Sequence, residues 1–197
     1  MRNDIIAIIC PDVHGRSFWK DVADEYDGSV PFIFLGDYLD PYPNEGITPE
    51  DAETNFKELW EFIEKWDTII PLLGNHDLSY IDKFFRCCRF SFQNGLWYGE
   101  FLRTNWERFK IAHQISNDGT TFLMTHAGVH PEWLKQNDFE QKAIEFVENH
   151  RSIGNSIIYD YQIDEDGHGA TLTFTGPGQG LIFMEAGDPI NEAALFI

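Results

Sequence analysis

The chain has 197 residues, enough for one domain with a buried core, and its 43% hydrophobic and 24% charged residues exclude global disorder. A formal net charge of −19 argues against a broad nucleic-acid or anionic-membrane surface, because both need clustered Lys and Arg. Carboxylates that hold divalent cations would reverse that field locally.

Four times along the chain an apolar, β-prone run ends in a small cluster of polar residues. Ile5–Cys10 leads into Pro11-Asp12-Val13-His14-Gly15, and Pro31–Leu35 into Gly36-Asp37-Tyr38-Leu39-Asp40. Thr68–Leu73 leads into Gly74-Asn75-His76-Asp77, and Thr121–Met124 into Thr125-His126-Ala127-Gly128. Runs this apolar predict strands covered on both faces, as in a layered α/β fold. Pro71, inside the third run, predicts an edge position or a bulge. A helix is predicted over Ser17–Tyr26. A second starts at Thr48-Pro49-Glu50-Asp51, where Thr48 caps, Pro49 opens the first turn and Asp51 closes a capping pair. Phe56, Leu59, Trp60 and Ile63 then form one apolar stripe at helical spacing. The segment Leu78–Asn94 reads as loop. Residues 110–116 and 121–125, joined by Asn117-Asp118-Gly119, predict a hairpin. A third helix is predicted over Phe139–Glu148, and a second hairpin over Thr171–Phe174 and Leu181–Met184. The chain reads as a single domain over 1–197 with an atypical, polar, glycine-rich segment from about 150.

Cys10, Cys87 and Cys88 do not form a disulfide framework, six apolar residues before Pro11 are too few for a secretory signal, and no window approaches a membrane span. Cytoplasm is the expected address.

In open α/β sheets, ligands bind outside the carboxyl ends of the strands. Four predicted strand ends deliver Asp12, His14, Asp37, Asn75, His76 and His126 to that edge. Carboxylate, imidazole and amide oxygen suit manganese, iron, zinc or nickel, and one carboxylate can bridge two ions. Each motif alone could equally be a polar turn capping a helix, Asp being a common cap; the four in order reduce that alternative to roughly one in ten.

These residues resemble the first four motifs of the calcineurin-like metallophosphoesterases, a group that includes the protein Ser/Thr phosphatases and the diadenosine tetraphosphatases. The resemblance covers roughly residues 5–135. It implies an α/β sandwich of two mixed β-sheets flanked by helices, and two divalent metal ions sharing a bridging hydroxide as nucleophile. Asp12, His14 and Asp37 would hold one ion; Asp37, Asn75 and His126 the other. His76 would protonate the departing alkoxide, and Asp40 would hydrogen-bond His76. Two departures stand out. The Arg that follows the second motif in Ser/Thr phosphatases is Pro41 here, so another cation must grip the phosphate; Arg89 is the candidate, with Arg86 next. The family's late ligand histidine has one counterpart, His168 in Gly167-His168-Gly169, which could equally be a turn residue. His113 reads as structural, and His130 and His150 as loop and helix-end residues.

The expected activity is metal-dependent hydrolysis of a phosphomonoester on a protein or small molecule, because the motif style is nearer the protein phosphatases and one histidine, rather than a His-x-His pair, is available in the tail. A dinucleoside polyphosphate hydrolase and a catalytically silent scaffold are the alternatives. No nucleic acid or membrane partner is expected.

Overall fold

A computed structural model of the chain describes residues 5–82, 87–117, 120–127, 151–154, 157–160, 171–174 and 182–185. In chain order these form β1 (Ile5–Cys10), α1 (Lys20–Ala23), β2 (Phe32–Phe34), α2 (Pro49–Lys65), β3 (Ile69–Pro71), α3 (Asn75–Ser79) and α4 (Phe92–Thr104). A single 3-10 turn (Trp106–Arg108) leads into β4 (Ala112–Asn117), β5 (Thr120–Thr125), β6 (Arg151–Gly154), β7 (Ile157–Asp160), β8 (Thr171–Phe174) and β9 (Ile182–Glu185). One sheet has the order β3-β2-β1-β9 and the other β4-β5-β6-β7-β8. Both are mixed: β1, β2 and β3 run parallel with β9 antiparallel, and the parallel pair β5/β6 interrupts an otherwise antiparallel second sheet. This is the α/β sandwich of two mixed sheets expected from the sequence.

The period-two alternation of side chains divides the core between two layers. Ile8, Cys10, Phe32, Phe34 and Ile69 pack in one cluster with Phe56, Leu59 and Ile63 of α2 and Tyr98 and Leu102 of α4. Ala7, Ile9, Ile33, Leu35, Ile70 and Leu72 pack in another with Phe122 and Met124 of β5. The first sheet is therefore apolar on both faces, which is why its strands read as unbroken hydrophobic runs.

α2 begins as its sequence predicts. Thr48 Oγ1 accepts from Asp51 N–H at 3.1 Å, Asp51 Oδ2 accepts from Thr48 N–H at 3.0 Å, and Pro49 occupies the first turn. Pro71 ends β3 on the outer edge of its sheet, where Lys110 donates its N–H to the Pro71 carbonyl and accepts from Leu73, both at 2.9 Å.

Three expectations are corrected. The helix predicted over Ser17–Tyr26 contracts to Lys20–Ala23. Its flanks close as three-residue turns, with Lys20 N–H on Ser17 O at 2.9 Å and Tyr26 N–H on Ala23 O at 3.4 Å. Tertiary anchors set that geometry: Trp19 Nε1 donates to Asn55 Oδ1 at 3.2 Å, and Tyr26 Oη donates to Val30 O at 2.7 Å. The second correction concerns β8 and β9, which are not a hairpin. β8 pairs with β7, whereas β9 crosses to the other sheet and pairs with β1, Ile182 opposite Ile9 and Phe183 opposite Ile8. The apolar edge of β1 is thereby covered, which local turn chemistry does not reveal. Third, the stretch Leu78–Asn94 read as loop contains the last two residues of α3 and the start of α4; Gly95 and Gly99 mask a helix whose cap is Ser91, accepting from Asn94 N–H at 3.2 Å. The hairpin of β4 and β5 forms as expected, with Asn117 opposite Thr120. The helix predicted over Phe139–Glu148 lies outside the described residues. No helix among the described residues is long and apolar enough to cross a membrane.

Phe56 is the centre of the helix-side core, its ring 5.0 Å from Tyr98, 5.2 Å from Phe101 and 5.6 Å from Tyr38. Phe56→Ala is expected to destabilise the fold by about 3–5 kcal/mol in urea unfolding.

Candidate metal centre

Because β1, β2 and β3 are parallel, their carboxyl ends share one edge; the loops leaving β1 and β2 carry Asp12 and His14, and Asp37 and Asp40, and the first turn of α3 after β3 carries Asn75 and His76. β5, from the second sheet, brings His126 to the same place. His14 Nε2 stands 3.7 Å from Asp12 Oδ2 and 3.6 Å from Asp37 Oδ2. His126 Nε2 stands 3.5 Å from Asp37 Oδ2 and 2.9 Å from Asn75 Oδ1. The six residues expected at one edge do converge.

The tautomers follow from the outer hydrogen bonds. His14 Nδ1 donates to Leu39 O at 2.9 Å, and His126 Nδ1 donates to Leu35 O at 2.8 Å. Each ring then turns an unprotonated Nε2 toward Asp37. Asn75 Nδ2 donates to Cys87 Sγ at 3.0 Å, which leaves Oδ1 to face His126. Lone pairs from two imidazoles, two carboxylates and one amide oxygen thus point at one another. A divalent cation relieves that arrangement, so this donor set fits one.

Donor atoms of Asp12, Asp37 and His126 lie within 4.8 Å of one another, as do those of His14, Asp37 and His76. Asp37 is common to both groups, which suits a bridging carboxylate. The grouping differs in two ways from the ligand sets expected above: Asp12 also reaches His126, and His76 stands close to His14 and Asp37.

Electrostatics oppose the metal-free site. Burial, then the charges of Asp77 and Asp12, push the Asp37 carboxyl up to about 8. Burial pulls His14 down to about 3, leaving it a neutral imidazole. A bound cation would reverse the first tendency and exploit the second.

The backbone is strained at the same place. Among the described residues, the non-glycine positions with left-handed φ are His14 (44°), Asp37 (54°), Asp40 (63°) and Arg89 (64°). Such conformations persist only where surrounding contacts impose them. The buried Asp77 imposes much of this. Its Oδ2 accepts from Asp37 N–H at 2.7 Å and Gly74 N–H at 2.8 Å; its Oδ1 accepts from Tyr38 N–H at 3.1 Å and Tyr98 Oη at 2.9 Å. Burial pushes the Asp77 carboxyl up while these four donors pull it back toward the ionised form. Gly36 and Gly74 allow the two loops to touch: a Cβ on Gly74 would fall 2.1 Å from Asp37 Oδ1, and one on Gly36 2.4 Å from Gly74 N.

His76 is held differently from the other two imidazoles. Its Nδ1 lies 2.7 Å from Asp40 Oδ2, a carboxylate rather than a carbonyl. Arg89 reaches the site from the loop before α4. Its Nη2 is 3.4 Å from both His14 Nε2 and His76 Nε2, its Nε donates to Asp40 O at 3.1 Å, and its Cζ lies 4.0 Å over the Tyr42 ring. His168 and Arg86 lie outside the described residues, as do His130 and His150. Residue patterns missed Asp77, Tyr80 and Tyr98, whose parts are played through buried contacts, and Cys87, which meets Asn75 at the surface. Only the place of Asp77 directly after His76 hinted at one of them.

Asp77→Asn preserves shape but turns one acceptor into a donor facing backbone N–H groups. It is expected to cost about 2–4 kcal/mol in urea unfolding and to lower metal occupancy in elemental analysis, since Asp37 loses its hold.

Residues 7–176 match the calcineurin-like phosphoesterase family. No curated protein matches the chain. Among solved structures, a protein serine/threonine phosphatase from Saccharomyces cerevisiae is similar at 19% identity with a TM-score of 0.41. The alignment covers 65% of this chain and 39% of that one, so the chain spans about two fifths of that phosphatase's length. With the family match running from β1 past β8, the chain belongs to the calcineurin-like phosphoesterases, a family of metal-dependent hydrolases of phosphate esters.

Proposed function

We propose that the chain hydrolyses phosphomonoesters, in the manner of a phosphoprotein phosphatase, at a centre for two divalent ions such as manganese, iron, zinc or nickel. Asp12, His14 and Asp37 would hold one ion, and Asp37, Asn75 and His126 the other, with His168 as the late ligand of the second. Two such ions supply an activated water and neutralise charge at phosphorus. The residues around them divide the remaining work. Arg89 binds phosphate oxygens in place of the Arg that Pro41 displaces. His76 passes a proton from Nε2 to the departing alkoxide oxygen, and Asp40 fixes the ring by its hydrogen bond to Nδ1.

The observation that carries this reading is the contrast among three imidazoles. His14 and His126 rest on neutral carbonyls and turn bare Nε2 atoms toward Asp37, as ligands must. His76 instead rests on a carboxylate, and its Nε2 lies 3.4 Å from the Arg89 guanidinium, which it shares with His14 Nε2 and where a phosphate ester would be drawn. The three cysteines are free thiols, which supports a reducing, cytoplasmic setting.

Elemental analysis after metal reconstitution is expected to give about two ions per chain; none would leave a scaffold. Metal-loaded protein is expected to turn over p-nitrophenyl phosphate faster than its bis-ester or a dinucleoside polyphosphate, and the opposite order would reassign the substrate class. His76→Asn should keep its metals and lose roughly 10²–10⁴-fold in turnover of phenyl phosphate, whose leaving group needs a proton.

A further inference from the structure

Tyr80 is buried, 4% exposed, at the C-terminal end of α3, and its hydroxyl touches the pair Asp40–His76 from behind. The hydroxyl hydrogen-bonds Asp40 Oδ1 and accepts from the Ser91 backbone N–H at 3.0 Å. With its oxygen occupied by that N–H, the hydroxyl donates its proton to the carboxylate. Burial and the neighbouring Asp40 both push the Tyr80 hydroxyl far up, so it remains a donor at every working pH. The ring has no freedom to leave: it stacks on Phe90 at 4.4 Å and meets Tyr98 edge-on at 5.1 Å.

Every polar atom of Asp40 beyond its N–H is then engaged. Oδ2 faces His76 Nδ1 at 2.7 Å, Oδ1 faces Tyr80, and the carbonyl accepts from Arg89 Nε at 3.1 Å. Asp40 is 1% exposed, so no bulk water can replace a lost partner. Asp40 also sits at a left-handed φ of 63°, a conformation that needs outside support. The carboxylate plane, and with it the direction of the bond to His76, is set by the one donor on the opposite oxygen.

We infer that Tyr80 is a positioning residue for proton transfer: its hydroxyl, anchored by the Ser91 N–H at the cap of α4, fixes the Asp40 carboxylate that orients His76. The role is exerted through Asp40 and requires no contact between Tyr80 and substrate. It rests on the reading of His76 as the proton donor.

The test compares Tyr80→Phe and His76→Asn on two phosphomonoesters, phenyl phosphate with a poor leaving group and dinitrophenyl phosphate with a good one. Tyr80→Phe keeps the ring and its stacking, and is expected to lower kcat on phenyl phosphate about tenfold while changing it less than about twofold on dinitrophenyl phosphate. A packing role would lower both together, and that outcome overturns the inference. If His76→Asn discriminates between the two esters and Tyr80→Phe does not, the inference fails while the assignment of His76 stands. If His76→Asn itself shows no discrimination, the assignment fails and takes the inference with it. A readout without turnover accompanies the kinetics: the Nδ1-bound proton of His76, observed by NMR in the metal-free protein, is expected to shift in Tyr80→Phe. An unmoved resonance overturns the inference.

Discussion

One carboxylate holds the site loops in place. Asp77 lies beneath them, fully buried, and gathers the N–H groups of Asp37, Tyr38 and Gly74 with the hydroxyl of Tyr98. Two of those N–H groups belong to the loop after β2 and one to the turn that opens α3, so a single side chain ties the second motif to the third. Asp37 Oδ1 returns the tie by accepting from His76 N–H at 2.8 Å. An ionised carboxylate buried without partners would be costly; four donors make it tolerable, and their directions dictate the left-handed turn at Asp37.

That turn explains why the site is electrostatically tense and why the tension is useful. Asp37 is brought close to both Asp12 and Asp77, and His14 is buried where a proton is disfavoured. The fold stores repulsion among lone pairs that a cation converts into coordination. The helix-side aromatic core provides the rigidity this requires. Tyr38 and Tyr98 both belong to that core and both contact the buried network, Tyr98 through Asp77 and Tyr38 through its own N–H and its hydroxyl on Leu72 O at 2.8 Å.

The sequence was most legible where chemistry and local pattern coincide. Ile5–Cys10 is a strand because it is apolar without interruption, and Asp12 and His14 fall at its carboxyl end, the edge where open α/β sheets bind. The cap at Thr48 was equally plain, since a capping pair is written in four consecutive residues. What could not be read depends on contacts distant in sequence. β9 reads locally as the partner of β8, because nothing local says that β1 has an open edge. α4 was hidden by two glycines, one of which lets the helix approach Tyr80 O, 2.6 Å from where a Cβ would be. Arg89 could be named as a cation near the third motif, but its perch over Tyr42 is a property of the folded loop. Asp77 and Tyr80 are visible as letters, not as roles, because a buried hydrogen-bond network has no period.

The origin of His126 has a mechanical consequence. Asp12, His14, Asp37 and Asn75 follow strands of the four-stranded sheet, whereas His126 follows β5 of the other and already leans on Leu35 O across the gap. An ion gripped by Asp37 and His126 together would be a rivet through both layers of the sandwich. Loosening the seam between Ile33, Leu35, Phe122 and Met124 would therefore weaken the grip on the ion, and removing the ion would loosen the seam.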